Sequence, residues 1–215
     1  HSFSFGNYQD PEWTGFRTLK VLNEDHVAPN SGFGTHGHKD MEILSYVVSG
    51  TLSHKDSASQ SAEAAEIPTG SLQLMTAGSG IEHSEMNESP SDPVHFLQIW
   101  IEPNQQDLSP GHQELAVSQQ DKENTIKLVA SPDGDQGSLK IHQDAWVYAT
   151  LLRPGQSITI AVQPGRHFWA QLISGSCTVN EHTLDMGDGL GLSDSQHVTL
   201  TANESVADLL LFDLS

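Results

Sequence analysis

Turn-forming residues interrupt the apolar segments of this 215-residue chain at short intervals, and helical periodicity is nearly absent. Ser49-Gly50, Pro154-Gly155 and Pro164-Gly165 each adjoin short apolar runs, such as Ile43–Val48 and Ser157–Val162. Glycine and proline supply the backbone angles of tight turns, and many short strands between such turns are typical of sandwiches and barrels. The sequence therefore predicts an all-β fold.

The composition and charge limit the partners of the folded chain. Hydrophobic residues make up 36% of the sequence, which is enough to form a core, and the formal net charge is −19. This charge repels phosphate backbones and anionic lipid headgroups, so we expect no direct nucleic-acid binding and no membrane binding. The longest apolar run, Leu209–Phe212, is also far too short to span a bilayer.

The cysteine content bears on the cellular compartment. Cys177 is the only cysteine in the sequence, so no internal disulfide can form. We expect a reducing compartment, the cytoplasm, although a periplasmic protein without disulfides would have the same composition. The chain begins at His1 rather than Met, and we expect a short stretch to precede it in the full protein.

Two parts of the chain are similar to each other. Val48-Ser49-Gly50-Thr51 in the first part is matched by Ile173-Ser174-Gly175-Ser176 in the second. A duplicated β unit is the simplest explanation, and convergent strand-turn-strand patterning is the alternative. We predict a first unit over residues 1–103, a polar crossing over 104–124 without a clear apolar pattern, and a second unit over 125–215.

Two short motifs carry the strongest chemical signal. His36 and His38 would project from one face of a strand because side chains alternate along it, although an isolated pair is better explained as an exposed strand edge. His83 and Glu85 repeat this spacing after the glycines of residues 78–80. Facing each other across a closed barrel, the two pairs would supply three imidazoles and one carboxylate. This donor set suits iron(II), with manganese, nickel, copper or zinc as alternatives.

The wider context of these motifs resembles the pirin family of the cupin superfamily. The resemblance implies a bicupin, which is two tandem cupin (jelly-roll) β-barrels with one metal in the amino-terminal barrel, here residues 1–103. It runs from end to end of the chain and rests on these segments: Gly34–Glu42, Met75–Glu85, His1–Tyr8, Gly137–Asp144 and Leu211–Leu214.

The resemblance also implies a ligand set. Pirins bind their metal through the residues that match His36, His38, His83 and Glu85. The general cupin pattern would instead use the glutamate at the position of Glu42. We follow the pirin pattern and expect Glu85, not Glu42, to be the fourth ligand.

The second unit lacks most of these residues. When the two Ser-Gly turns are aligned, Ala161 and Gln163 take the places of the first histidine pair, and Thr199 takes the place of Glu85. Only His197 matches a ligand position. We therefore expect the second barrel to be structural and degenerate, without a metal.

Three further histidines lie outside the motifs. His54 follows the first motif on a neighbouring strand, so we expect it near the metal site. His95 is expected in a loop at the start of a strand, and His142 at the interface between the barrels. We assign none of them a catalytic role.

Several pirin-like proteins have quercetin 2,3-dioxygenase activity, so the resemblance implies a flavonol substrate, dioxygen and a monomeric enzyme. In that reaction the flavonol ring is opened and carbon monoxide is released, with Glu85 as the general base. The alternative is a metal-binding regulatory or redox-sensing protein that binds a transcription factor or a metabolic enzyme. A purely structural metal is a third hypothesis.

Overall fold

The computed structural model describes residues 1–59, 61 and 63–215, and these residues form an almost entirely β structure. The strands of the first half are β1 (Leu19–Val27), β2 (Ser31–His38), β3 (Glu42–Ser49), β4 (Thr51–Asp56), β5 (Ala65–Pro68), β6 (Ser71–Thr76), β7 (Ile81–Asn87), β8 (Val94–Ile101) and β9 (Gly111–Ala116). One α-helix, α1 (Gln119–Lys122), follows them.

The strands of the second half are β10 (Lys127–Ser131), β11 (Leu139–Lys140), β12 (Ala145–Leu152), β13 (Ser157–Ala161), β14 (His167–Ser174), β15 (Ser176–Val179), β16 (His182–Asp185), β17 (Gly189–Ser193), β18 (His197–Ala202) and β19 (Ala207–Leu214). The predicted all-β fold is confirmed. Among the described residues, no helix is long and apolar enough to cross a membrane.

The two halves repeat one topology. In the first half the strand orders are β1-β8-β3-β6-β9 and β2-β7-β4-β5; in the second they are β11-β10-β12-β19-β14-β17 and β13-β18-β15-β16. The order β1-β8-β3-β6 thus corresponds to β12-β19-β14-β17, and the smaller sheets correspond strand by strand. Gly50 and Gly175 occupy equivalent turns with φ of +83° and +86°, as their sequence match predicted.

The two barrels share an apolar core between their larger sheets. Leu44 and Ile99 from the first barrel belong to the same buried cluster as Val147 and Phe212 from the second. The larger sheet of the first barrel is therefore covered on both faces. This explains why β3 is an almost uninterrupted buried apolar run rather than an alternating one.

Two segments contain secondary structure that the apolar pattern of the sequence does not give. The apolar pattern of Phe16–Leu22 predicts a strand that begins at Phe16, and this is wrong: β1 begins at Leu19, because Arg17 has a φ of +56° in a turn that joins Phe16 to Leu19. The crossing 104–124 contains β9 and α1. β9 is an edge strand that pairs only through β6, and its side chains alternate between exposed and half-buried, so it lacks an apolar signal. The boundaries at 104 and 124 stay predictions.

A buried lysine connects the crossing to both barrels. The Nζ of Lys122, in α1, donates hydrogen bonds to the Tyr46 hydroxyl of β3 and to both carboxylate oxygens of Asp208 in β19, all at 2.7 Å. Lys122 is only 3% exposed. A buried charge of this kind is tolerated because its donors are satisfied.

We predict that Lys122→Ala lowers the free energy of unfolding by about 3 kcal/mol, because it leaves the Asp208 carboxylate without its buried counter-ion. Urea denaturation at neutral pH measures this loss. Arg153→Ala is the matched control, since it breaks the more exposed pair with Glu123 and should change stability much less. Equal losses in the two variants would contradict the assigned role of Lys122.

Candidate metal centre

The two predicted motifs lie on paired strands. β2 and β7 are antiparallel neighbours, and His36 lies directly opposite His83 in their register. In β7, His83 and Glu85 both belong to the buried face, as their spacing of two requires. Ligand nitrogens of His36, His38 and His83 all lie within 4.8 Å of one another. The structure thus brings the three predicted histidines together.

The ring nitrogens of His36 and His83 face each other at close range. His36 Nδ1 lies 2.8 Å from the Gly34 carbonyl oxygen, so we assign the proton of the neutral ring to Nδ1. The Nε2 of His36 then carries a lone pair and lies 3.1 Å from Nε2 of His83. Only a proton on His83 Nε2 or a cation between the rings makes this approach favourable.

Burial keeps the imidazoles of His38 and His83 neutral. It lowers the pKa of His38 to about 4, with the neighbouring His36 adding to the shift. It lowers the pKa of His83 to about 3, helped by the other histidines around it. Neutral imidazoles offer lone pairs, so the donor set fits a borderline divalent transition ion.

Glu85 lines the same cavity as His36 and His38, but its carboxylate oxygens are not in the group of donor atoms that lie within 4.8 Å of one another. Its Oε1 accepts a hydrogen bond of 2.9 Å from the Ser45 hydroxyl, and its Oε2 accepts one of 2.7 Å from Gln98 Nε2. Burial raises the pKa of Glu85, and these two hydrogen bonds oppose that shift. Ser45 and Gln98 lie opposite each other on β3 and β8, so a cross-strand pair holds this carboxyl group in place.

A second row of polar groups lies behind His83. His54, on β4, is buried, and its Nε2 is 3.1 Å from His83 Nδ1. On its other side, His54 Nδ1 lies 2.9 Å from Gln73 Nε2 and 3.7 Å from a carboxylate oxygen of Asp56. If His83 Nε2 binds a metal, His83 Nδ1 carries the proton and His54 Nε2 must accept it. The predicted position of His54 near the site is therefore confirmed.

Glu42 lies on the other face of β3 from this cluster. Its neighbours Leu44 and Tyr46 on that face pack into the core between the barrels, whereas Ser45 points to Glu85. Glu42 Oε2 accepts hydrogen bonds from Thr76 Oγ1 at 3.2 Å and from the His142 backbone N–H at 3.4 Å. His142 thus lies at the junction of the barrels, as predicted. Burial raises the pKa of Glu42 to about 7, against the effect of these hydrogen bonds.

The positions of the second barrel that match His36 and His83 are exposed. Ala161 lies opposite His197 in the register of β13 and β18, as the alignment of the halves predicted, and His197 is exposed. One continuous apolar cluster, which includes the free Cys177, fills this barrel. In the first barrel the interior apolar residues form two separate clusters, around Phe96 and around Met75. The polar groups of the candidate site occupy interior space that apolar residues fill in the second barrel.

A cavity of about 390 Å³ opens over the candidate site, and His36, His38 and Glu85 are among its lining residues. Phe33 and Trp100 line it as well. The rings of His38 and Trp100 are 4.9 Å apart. Nothing in the spacing of the sequence predicts the aromatic lining, because these residues come from strands that meet only in the folded sheet.

The expected loop position of His95 is wrong. His95 lies within β8, not in a loop, and its Nε2 is 2.7 Å from a carboxylate oxygen of Glu24 on β1. The apolar run that marks β8 begins only after His95, at Phe96, which hid the start of the strand.

Comparison with known proteins agrees with this architecture. Residues 1–101 match the family model described as pirin, and residues 128–214 match the quercetinase C-terminal cupin domain. Over 214 residues the chain is 40% identical to quercetin 2,3-dioxygenase of Escherichia coli K12, covering 100% of this chain and 90% of that protein. The chain belongs to the pirin family.

Two solved structures share the whole fold. The bacterial pirin YhhW from Escherichia coli, in complex with nickel(II), has a TM-score of 0.93 and 40% identity, covering 100% of this chain and 90% of that one. The protein YhaK from Escherichia coli has a TM-score of 0.81 and 30% identity, covering 99% and 92%. The predicted bicupin architecture is therefore confirmed.

We predict that His54→Ala weakens binding of nickel(II), used as the probe ion, by about 10- to 100-fold, because His83 Nδ1 loses its acceptor. Isothermal titration of the metal-free protein measures the affinity of the tightest site. His197→Ala, in the second barrel, should leave that affinity unchanged. Wild-type affinity in His54→Ala, or loss of the tightest site in His197→Ala, would contradict this assignment.

The raised pKa of Glu42 leads to a separate prediction about how the stability of the protein depends on pH. Its pKa is raised from 4.5 to about 7 in the folded protein, so between these values the native state keeps a proton that the unfolded chain has lost. Wild-type stability therefore falls relative to Glu42→Gln as pH rises through this range, by about 3 kcal/mol in total. Urea denaturation of both metal-free proteins at pH 4.5, 6 and 7.5 tests this, and parallel pH curves would refute it.

Proposed function

We propose that this pirin is a metal-dependent dioxygenase that cleaves quercetin-type flavonols. The observation that carries the proposal is the cluster of three imidazoles beside a partly aromatic cavity. His36, His38, His83 and Glu85 would hold one divalent ion, iron(II) in our proposal, since nitrogen and carboxylate donors suit that ion. Manganese, nickel, copper and zinc fit the same donors, and a relative at 40% identity was crystallised with nickel(II).

The cavity suits a flat aromatic molecule with several hydroxyl groups. Phe5 and Trp100 line it in an edge-to-face arrangement with ring centroids 5.4 Å apart, and Phe33 adds a third ring. Asn23 and Asp25 supply polar groups in the same lining. Apolar walls with a few placed polar groups are typical of sites that orient small ligands.

The side chains provide orientation and proton transfer. When bound, the divalent ion would supply the dioxygen chemistry of ring opening, which no side chain here provides. The aromatic walls would hold the flavonol rings and exclude water from them. Glu85 would accept the proton of the flavonol 3-hydroxyl at a carboxylate oxygen, because burial has already raised its pKa. Ser45 and Gln98 would keep that carboxylate aimed at the substrate.

The proposal predicts metal-dependent turnover. Protein reloaded anaerobically with iron(II) should consume oxygen and deplete quercetin, whereas metal-free protein and His83→Ala should not. Both oxygen uptake and quercetin absorbance are followed, so that spontaneous oxidation is subtracted. Equal rates with and without metal would refute the proposal. One bound ion per first barrel without turnover would instead favour the regulatory alternative, in which the metal-bound protein recognises another protein.

The role of Glu85 has its own test. Glu85→Gln should lower kcat by at least about 100-fold, because the amide cannot accept the proton. Glu42→Gln is a matched control, since it alters a buried glutamate on the opposite face of β3 and should keep wild-type kcat. Metal content is measured in both variants. Unchanged kcat in metal-loaded Glu85→Gln would remove its assigned role.

A further part of the proposal concerns the cellular compartment and the oligomeric state. We propose a cytoplasmic, monomeric protein, in keeping with the single, buried Cys177 and with two barrels that already cover each other's larger sheet. Sedimentation of the metal-loaded protein would test the monomer.

A further inference from the structure

We propose a second metal-binding site on the outer surface of the first barrel, formed by Glu24, His26 and His95. It would bind zinc(II) or a similar borderline divalent ion. Donor atoms of these three residues lie within 4.8 Å of one another. The site does not depend on the proposed dioxygenase function.

The backbone of two paired strands positions the three donors. His26 on β1 lies directly opposite His95 on β8, and their rings stack with centroids 4.1 Å apart. Glu24 lies two residues before His26 on β1, so both side chains project from the same face. Donors carried on adjacent strands of a sheet are held more rigidly than donors on loops.

Glu24 lies close to both histidines. Glu24 Oε1 lies 2.7 Å from His95 Nε2 and 4.0 Å from His26 Nε2. Yet His95 Nε2 is buried and has no aligned hydrogen-bond partner among the described residues. Three donor atoms held this close together, on side chains of adjacent strands, can act as ligands of a common ion.

The distances and chemistry fit zinc(II). Tetrahedral zinc with bonds of about 2.0–2.1 Å places its donors about 3.3 Å apart. This value lies between the 2.7 Å from Glu24 Oε1 to His95 Nε2 and the 4.0 Å from Glu24 Oε1 to His26 Nε2. Two imidazoles and one carboxylate leave the fourth position for water. The net charge of −19 raises the local concentration of cations at the protein surface. His26, with a side chain 66% exposed, leaves the site accessible.

This site is separate from the interior one. On β1, Asn23 and Asp25 line the interior cavity, whereas Glu24 points away from it. Glu24 Oε2 lies 3.7 Å from the point that a Cβ on Gly187, in the second barrel, would occupy. The two sites therefore lie on opposite faces of the same strand.

Zinc binding to the metal-free protein tests the proposal. Equilibrium dialysis against micromolar zinc sulfate should give two ions per wild-type chain. His26→Gln/His95→Gln should bind one, and His36→Gln/His83→Gln should bind one. Iron-dependent quercetin turnover should stay at the wild-type level in His26→Gln/His95→Gln, so a failure of the proposed function is distinguished from a failure of this site.

A milder variant guards against loss of folding. His26→Gln alone changes an exposed side chain and should weaken the second zinc site at least 10-fold while leaving the circular dichroism spectrum unchanged. Wild-type zinc stoichiometry and affinity in both His26 variants would overturn the proposal, as would a second site seen only at millimolar zinc. Either result would show that Glu24 and the histidines form an ion pair and nothing more.

Discussion

The candidate site of the first barrel depends on three imidazoles packed together, with His83 buried and His36 and His38 half-buried. The ring nitrogens of His36 and His83, which face each other at 3.1 Å, repel unless a proton or a cation lies between them. Much of the surrounding interior stabilises this arrangement: the Gly34 carbonyl fixes one ring, His54 supports another from behind, and Ser45 with Gln98 holds the neighbouring carboxyl group. A divalent ion would satisfy these lone pairs together.

The first barrel carries the candidate metal site, and the second barrel has a structural role. The first has its apolar interior split into two clusters, which lowers the hydrophobic stabilisation available to it. The second has a continuous apolar interior and packs its larger sheet against the first. Lys122, bonded to Tyr46 and Asp208, adds a polar connection across the same junction. The second barrel thus supports a polar site that would weaken an isolated barrel.

The parts that the sequence predicts well are those encoded locally. A spacing of two places His83 and Glu85 on one strand face whatever the fold around them, and the Ser-Gly turns show the repeat of the two halves. The pairing of strands that are distant in the sequence is not encoded in such local patterns. Ser45 and Gln98 both contact Glu85 only because β3 pairs with β8 in one particular register.

Burial of polar residues was equally hard to foresee. Lys122 lies in a hydrophilic stretch, and hydropathy gives no sign that it is enclosed between two barrels. The cluster of Glu24, His26 and His95 depends in the same way on the register of β1 and β8, and the apolar run of β8 begins only after its histidine.

The most direct measurement is anomalous X-ray diffraction from crystals of the nickel(II)-loaded protein. We expect an ion between His36, His38 and His83, with a Glu85 oxygen as an additional ligand and His54 hydrogen-bonded to His83 Nδ1. Absence of an ion at that place would contradict the central claim. An ion held by the imidazoles, with Glu85 bonded only to Ser45 and Gln98, would contradict the assignment of the fourth ligand.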